Sequence, residues 1–235
     1  MGRIASGRMA TDLSDVSEGY MERALFYLRL FPGTEAEYDK RHAEIWPELV
    51  AEIRESGLRN MSGFRRATDV WYYLEAEPDV GTAFAAHGPK PANTRWNHYF
   101  RDVIAEITDA DGELLWYDEV FHAGGDPLPG PMSRGLIHIT IDPERATEYD
   151  AIHADPWPDM MSAIEQAGYR NYTGFRRGGS VVYYGEYYPD LESVGARMAD
   201  FEVTARWGQA FEGIITTIVG ADGKLITADE VYHQD

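Results

Sequence analysis

The strongest constraint on this chain is that it contains itself twice, in register, at an offset of 111 residues. Tyr38, His42, Trp46 and Pro47 recur as Tyr149, His153, Trp157 and Pro158. The run Gly63-Phe64-Arg65-Arg66 recurs as Gly174-Phe175-Arg176-Arg177, Arg95-Trp96 as Arg206-Trp207, and Asp118-Glu119-Val120 with His122 as Asp229-Glu230-Val231 with His233. More than a third of the paired positions are identical without a gap. Solenoid repeats have periods of roughly 20–50 residues, so a period of this length is that of a whole small domain. The reading is a leader without order over residues 1–20, a first copy over 21–122, a Gly/Pro-rich linker over 123–134 and a second copy over 135–235.

Each copy reads as βαββαβ. Ala24 to Phe31 is an apolar, aromatic strand stopped by Pro32-Gly33. Thr34 to Ser56 has helical spacing ended by Gly57. Leu58–Arg66 and Val70–Glu77 form a hairpin, matched in the second copy by a Gly178-Gly179-Ser180 turn. A second helical stretch spans Pro91 to Ile107, and Leu114 to His122 is the last strand. The fold expected is α+β: two ferredoxin-like domains, each a sheet with helices on one face. The bare apolar faces of two such sheets can bury each other, giving an intrachain pseudo-dimeric α+β barrel. Further homo-oligomerisation is left open.

A net charge of −19 argues against nucleic acid, which needs a basic footprint, and against an anionic membrane surface. No stretch approaches the roughly 18 apolar residues of a spanning helix, and the N-terminus lacks the apolar run of a signal peptide. A cytoplasmic location is the remaining expectation. With no cysteine, disulfide and thiolate chemistry are excluded.

Tyr38, His42 and Trp46 lie at i, i+4 and i+8, on one helix face that drifts by about 80°. An imidazole between a phenol and an indole can exchange protons near neutral pH; the same three side chains would also serve as core. The segment His42-Ala43-Glu44-Ile45-Trp46-Pro47, with Tyr38 before it, Arg95-Trp96 and Glu119-Val120-Phe121 after it, resembles the L-rhamnose mutarotase family, over essentially all of each copy. The resemblance implies a dimeric α+β barrel that interconverts sugar anomers without cofactor or metal. By it His42 and His153 are the catalytic proton donors, and Tyr38, Tyr149, Trp96 and Trp207 contact the sugar; Trp46 and Trp157 are candidate contacts from the helix-face spacing. The chemistry suits these residues, since opening a hemiacetal needs one proton removed from the anomeric hydroxyl and one delivered to the ring oxygen.

The chain departs from that pattern in places. The family's tyrosine after the asparagine is kept as Tyr172 but replaced by Met61 in the first copy, and its second tryptophan is replaced by Asn97 and Gly208. On strand alternation, Arg65 and Arg176 share a face with position 61 or 172 and are candidates to grip an anionic sugar, or to pair with the chain's own carboxylates. His122 and His233 are candidates to reach the other copy's site, or, with Asp118 and Asp229 and with His42 or His153, to build a His/carboxylate metal site. His87 and His98, unmatched in the second copy, are expected at the surface, and His138 in the sheet. The expected function is a cofactor-independent aldose mutarotase whose second site is the more complete. The alternatives are a cofactor-free cyclase or oxygenase of aromatic natural products on the same fold, or a sugar-binding module without turnover.

Overall fold

The computed structural model describes residues 21–235, so the expected leader lies outside the described residues. The first half runs β1 (Glu22–Leu30), α1 (Glu35–Ala43), α2 (Pro47–Glu55), β2 (Leu58–Arg66), β3 (Asp69–Ala76), α3 (Val80–His87), α4 (Pro91–Tyr99), β4 (Ile104–Glu106) and β5 (Leu115–Ala123). The second runs β6 (Ser133–Ile141), a 3-10 turn at Pro143–Arg145, α5 (Ala146–Ala154), α6 (Pro158–Ala167), β7 (Tyr169–Arg177), β8 (Ser180–Tyr187), α7 (Leu191–Ala199), α8 (Glu202–Ala210), β9 (Ile215–Thr217) and β10 (Thr227–Gln234).

Two sequence expectations change. The single helix from Thr34 to Ser56 is two helices. Pro47 has no N–H to donate and forces the residue before it out of the helical region, so Trp46 sits extended at ψ 131° and caps α2. The stretch from Pro91 to Ile107 is helical only to Tyr99, because Ile104 and Glu106 pair with β1. A helix that periodicity did not show, α3, precedes it; it is alanine-rich rather than amphipathic and is started by the Asp79 side chain accepting from the Thr82 N–H.

Eight antiparallel strands close a barrel in the order β10-β2-β3-β1-β5-β7-β8-β6, with β6 returning to β10. The last strand of each half crosses to the other half's hairpin: β5 pairs with β7, setting Phe121 opposite Gly174, and β10 pairs with β2, setting Tyr232 opposite Gly63. The barrel interior mixes both halves, with Leu25, Phe64, Trp71 and Tyr73 against Leu136, Phe175, Val182 and Tyr184. Tyr73 and Tyr184 stack with ring centroids 3.7 Å apart and planes within 5°. Full burial of such side chains contributes on the order of 2 kcal/mol each. At one end, Asn60 and Asn171, both at positive φ, donate from Nδ2 to the carboxylates of Glu75 and Glu186 across the halves. His138 packs in the barrel against Trp71 and bonds Ser180.

Outside the barrel lie two further cores, one between each half's helices and its sheet. Each borrows from the opposite half: Tyr232 packs into the first, Phe121 and Ala123 into the second. The candidate site is in these outer cores.

Candidate functional site

His42 stands in the last turn of α1, buried, with Nδ1 3.0 Å from the Tyr38 carbonyl oxygen and Nε2 2.6 Å from the Tyr72 hydroxyl. Tyr72 comes from β3, and its hydroxyl is 2.6 Å from that of Tyr38. The partners assign the protons. A carbonyl oxygen only accepts, so Nδ1 carries the hydrogen of the neutral imidazole and Nε2 accepts from Tyr72. Tyr72 has then used its one proton, so Tyr38 donates to Tyr72. The chain of donation is Tyr38 to Tyr72 to His42. Were the imidazole protonated, Nε2 would donate and the two hydroxyl bonds would reverse.

The second half repeats the geometry. His153 places Nδ1 3.1 Å from the Tyr149 carbonyl oxygen and Nε2 2.7 Å from the Tyr183 hydroxyl, which also bonds the Tyr149 hydroxyl. Burial lowers both histidines to about 4, against opposing contributions from the backbone carbonyls and from Asp39 or Asp150. Both imidazoles are therefore neutral at pH 7. Burial also pushes the hydroxyls of Tyr38, Tyr72, Tyr149 and Tyr183 well above the ordinary phenol range, which keeps them protonated.

Aromatic rings wall the imidazoles. Trp96 meets His42 edge to face at 5.4 Å, and Trp207 meets His153 at 5.7 Å. Trp46 and Trp157 are one layer back: each packs edge-on against that tryptophan at 5.2 Å, with Arg95 or Arg206 over its outer face. The opposite half closes each site with Tyr232, 5.9 Å from His42, and Phe121, 5.5 Å from His153. In the first half these groups border a cavity of about 610 Å³ that Tyr38, His42, Met61, Tyr72, Trp96 and Tyr232 help to line. In the second half Tyr172 of β7 stacks on Tyr183 at 5.2 Å; in the first, the matching position is Met61, and Tyr72 is stacked from its other side by Phe26 of β1 at 5.1 Å.

The remaining expected residues go elsewhere. Arg65 and Arg176 lie on the helix-facing side, as alternation requires, but are held by carboxylates: Arg65 Nε bonds Asp39 at 2.7 Å and Arg176 Nε bonds Asp150 at 2.7 Å, each with a second bond from its Nη2. His122 and His233 turn away from the imidazoles to bond Thr173 and Ser62, both at 2.9 Å. The cause is an irregularity in the last strand, between Glu119 and Phe121 and between Glu230 and Tyr232, which shifts the alternation so that Phe121 and Tyr232 face the sites. Among the described residues, no three His, Asp or Glu side chains converge as metal ligands. His87, expected at the surface, instead lines the first cavity, while His98 is exposed.

Sequence reasoning missed Tyr72 and Tyr183, which complete the hydrogen-bond chains. Their signal was present: Tyr72-Tyr73 returns as Tyr183-Tyr184, and the hairpin register sets Tyr72 opposite Gly63, whose missing side chain leaves room for the ring.

A model of the L-rhamnose mutarotase family matches residues 23–123 and again residues 134–234. An L-rhamnose mutarotase of Oceanobacillus iheyensis is 32% identical over 104 residues, 43% of this chain and 98% of that protein. One from Brucella anthropi is 35% identical over 105 residues, 43% of this chain and 95% of that protein. A solved structure of a candidate monooxygenase from Fusobacterium nucleatum matches at a TM-score of 0.57 and 13% identity, over 91% of this chain and 93% of the other, a likeness of fold alone. With the family model matched once in each half, the chain belongs to the L-rhamnose mutarotase family.

Proposed function

We propose that this protein is a sugar mutarotase in which residues 21–122 and 135–235 are two domains, joined by 123–134, that pair as a dimer would and so complete each other's sites. The observation that carries the reading is the twice-built arrangement of a buried neutral histidine, its tyrosine and a second tyrosine behind it, bonded within 2.6–2.7 Å at the imidazole and bordered by a tryptophan.

His42 and His153 are the proton-exchanging groups, with Tyr72 and Tyr183 between them and the sugar. The anomeric hydroxyl gives its proton to the Tyr72 oxygen as the Tyr72 proton moves to His42 Nε2. The bond from C1 to the ring oxygen breaks while the C1 carbonyl forms. The imidazolium returns its proton through Tyr72 to the ring oxygen, so charge and protons balance. Rotation about C1–C2 and the reverse sequence give the other anomer. An imidazole whose conjugate acid is held near 4 returns its proton readily. General acid–base catalysis of roughly 10²–10⁴-fold is enough for a reaction that already proceeds in water. Trp96 and Trp207 offer apolar faces to the C–H faces of a pyranose.

NMR saturation transfer between α and β anomers, over a panel of neutral and acidic sugars, tests the reading. Accelerated exchange that His42→Ala/His153→Ala abolishes is the expected result. No acceleration for any sugar with the wild-type chain would overturn it.

A further inference from the structure

The cavity beside His42 carries polar chemistry at both of its ends. At the buried end are the His42 imidazole and the Tyr72 hydroxyl. At the exposed end are Asn97 in the last turn of α4, Arg101 just past that helix, and Thr108 before β5. Among the described residues Arg101 forms no ion pair; its side chain makes one long contact, 3.4 Å, with Nδ1 of the exposed His98. Asp102, next to it in the chain, is bound by Arg41 at 2.8 Å. Carboxylates are abundant here, 40 against 21 lysines and arginines, and Arg65, Arg95 and Arg134 each have one. The Asn97 amide and the Thr108 hydroxyl likewise bond no protein atom among the described residues. Three unengaged donors thus share one mouth.

The second half reverses the charge there. At the matching positions it carries Gly208, Glu212 and Val219, so a cation becomes an anion and two hydrogen-bonding side chains are removed. The frame around the histidine is kept: Trp96 and Phe100 against His42 return as Trp207 and Phe211 against His153. The two halves share the proton-exchanging end and differ at the open one.

A guanidinium presents a planar fork of N–H groups that matches an oxyanion, and such charge-assisted bonds are roughly twice as strong as neutral ones. At an exposed position neither charge is stripped of water, so little desolvation offsets the gain. A phosphate monoester carries about −1.5 to −2 at pH 7, more than one guanidinium balances in so acidic a chain. A carboxylate carries a single charge. A cavity of about 610 Å³ accommodates a pyranose with such a substituent.

Resting on the mutarotase reading, we propose that the first half is specific for a uronate, a reducing sugar whose exocyclic carbon is a carboxylate. The anomeric end meets Tyr72 and His42, and the carboxylate is gripped by Arg101, with the Asn97 amide and the Thr108 hydroxyl donating beside it. The second half, with Glu212 at the matching position, takes the uncharged sugar.

Calorimetric titration of the full chain with D-galacturonate and D-glucuronate, each against its neutral hexose, tests this. The expected result is binding of one uronate about tenfold tighter than its hexose, at one site per chain, with a preference that shrinks as sodium chloride is raised. Arg101→Glu, which places the second half's residue at an exposed position, is expected to remove the preference. Asn97→Gly is expected to reduce it by about threefold. Equal affinities within each pair, no binding of either uronate, or a preference retained in Arg101→Glu would overturn the proposal. So would tighter binding of D-galactose 6-phosphate than of D-galacturonate. The two readings separate: a uronate preference lost in Arg101→Glu, without accelerated anomer exchange, upholds the ligand class and removes the mutarotase. Accelerated exchange of neutral sugars with no uronate preference does the reverse.

Discussion

The Tyr72 hydroxyl lies 2.6 Å from His42 Nε2, between the imidazole and the hydroxyl of Tyr38. In the proposed mechanism the imidazole acts through that phenol, and the strand supplying it belongs to the candidate site as much as the helix that carries the histidine. The same holds for Tyr183 and His153 at 2.7 Å.

Removing the phenolic oxygen while keeping the ring separates relay from packing. Tyr72→Phe/Tyr183→Phe is expected to slow anomer exchange by about 10²-fold. Thermal melting should shift little by comparison. Exchange at the wild-type rate would show that the histidines act without these hydroxyls.

Both histidines are depressed to about 4 by burial, while the unfolded chain protonates them near the ordinary value of 6.5. Between those values the unfolded state binds more protons, so stability is complete above about pH 6.5 and declines as pH falls toward 4. The loss is up to about 3 kcal/mol per histidine. Denaturant titrations from pH 7 to pH 4 are expected to show this decline, and His42→Gln/His153→Gln to flatten it. The acid limb of the exchange rate is expected near pH 4 for the same reason; a limb at 6–7 would mean the imidazoles are hydrated in the working enzyme.

Arg65 is committed to Asp39 rather than to a ligand. Arg65→Met is expected to cost about 1 kcal/mol, since the carboxylate is partly solvated. The relative exchange rates of neutral and acidic sugars should not change. A selective loss of acidic sugars would return this arginine to the binding site.

A Cβ at Gly63 would meet Tyr72 Cε1 at 2.9 Å, and one at Gly174 would meet Tyr183 Cε1 at 2.8 Å. Either alanine must push the ring away from its histidine. Gly63→Ala/Gly174→Ala is expected to reduce exchange by at least about tenfold and to destabilise by about 1–3 kcal/mol per site, the usual range for overpacking. Unchanged exchange would mean that the ring position is not critical.

Much of the site was legible because the chain states it twice. His42 and Tyr38 stood out by helical spacing, and Trp96 by its return as Trp207. The partner strands were harder to read. Alternation pointed to His122 and His233, whereas the irregularity beside Val120 and Val231 turned Phe121 and Tyr232 inward. Such a shift arises from pairing with a distant strand and leaves no mark in the strand's own residues. His87 was read as surface because it has no counterpart in the second copy, yet α3 packs against β1, β2 and β3 and lays it along the cavity.

From the sequence alone came the duplication, the alternating strands and helices, and the histidine beside an aromatic helix face, since all of these follow from spacing within short segments. Tertiary structure decided which proton sits on which nitrogen, that the Tyr72 and Tyr183 hydroxyls bond the imidazoles, that Asp39 and Asp150 claim the arginines, and that the opposite half packs a ring against each histidine. Those outcomes depend on contacts between residues far apart in the chain, whose distances are set only when the eight strands close on one another.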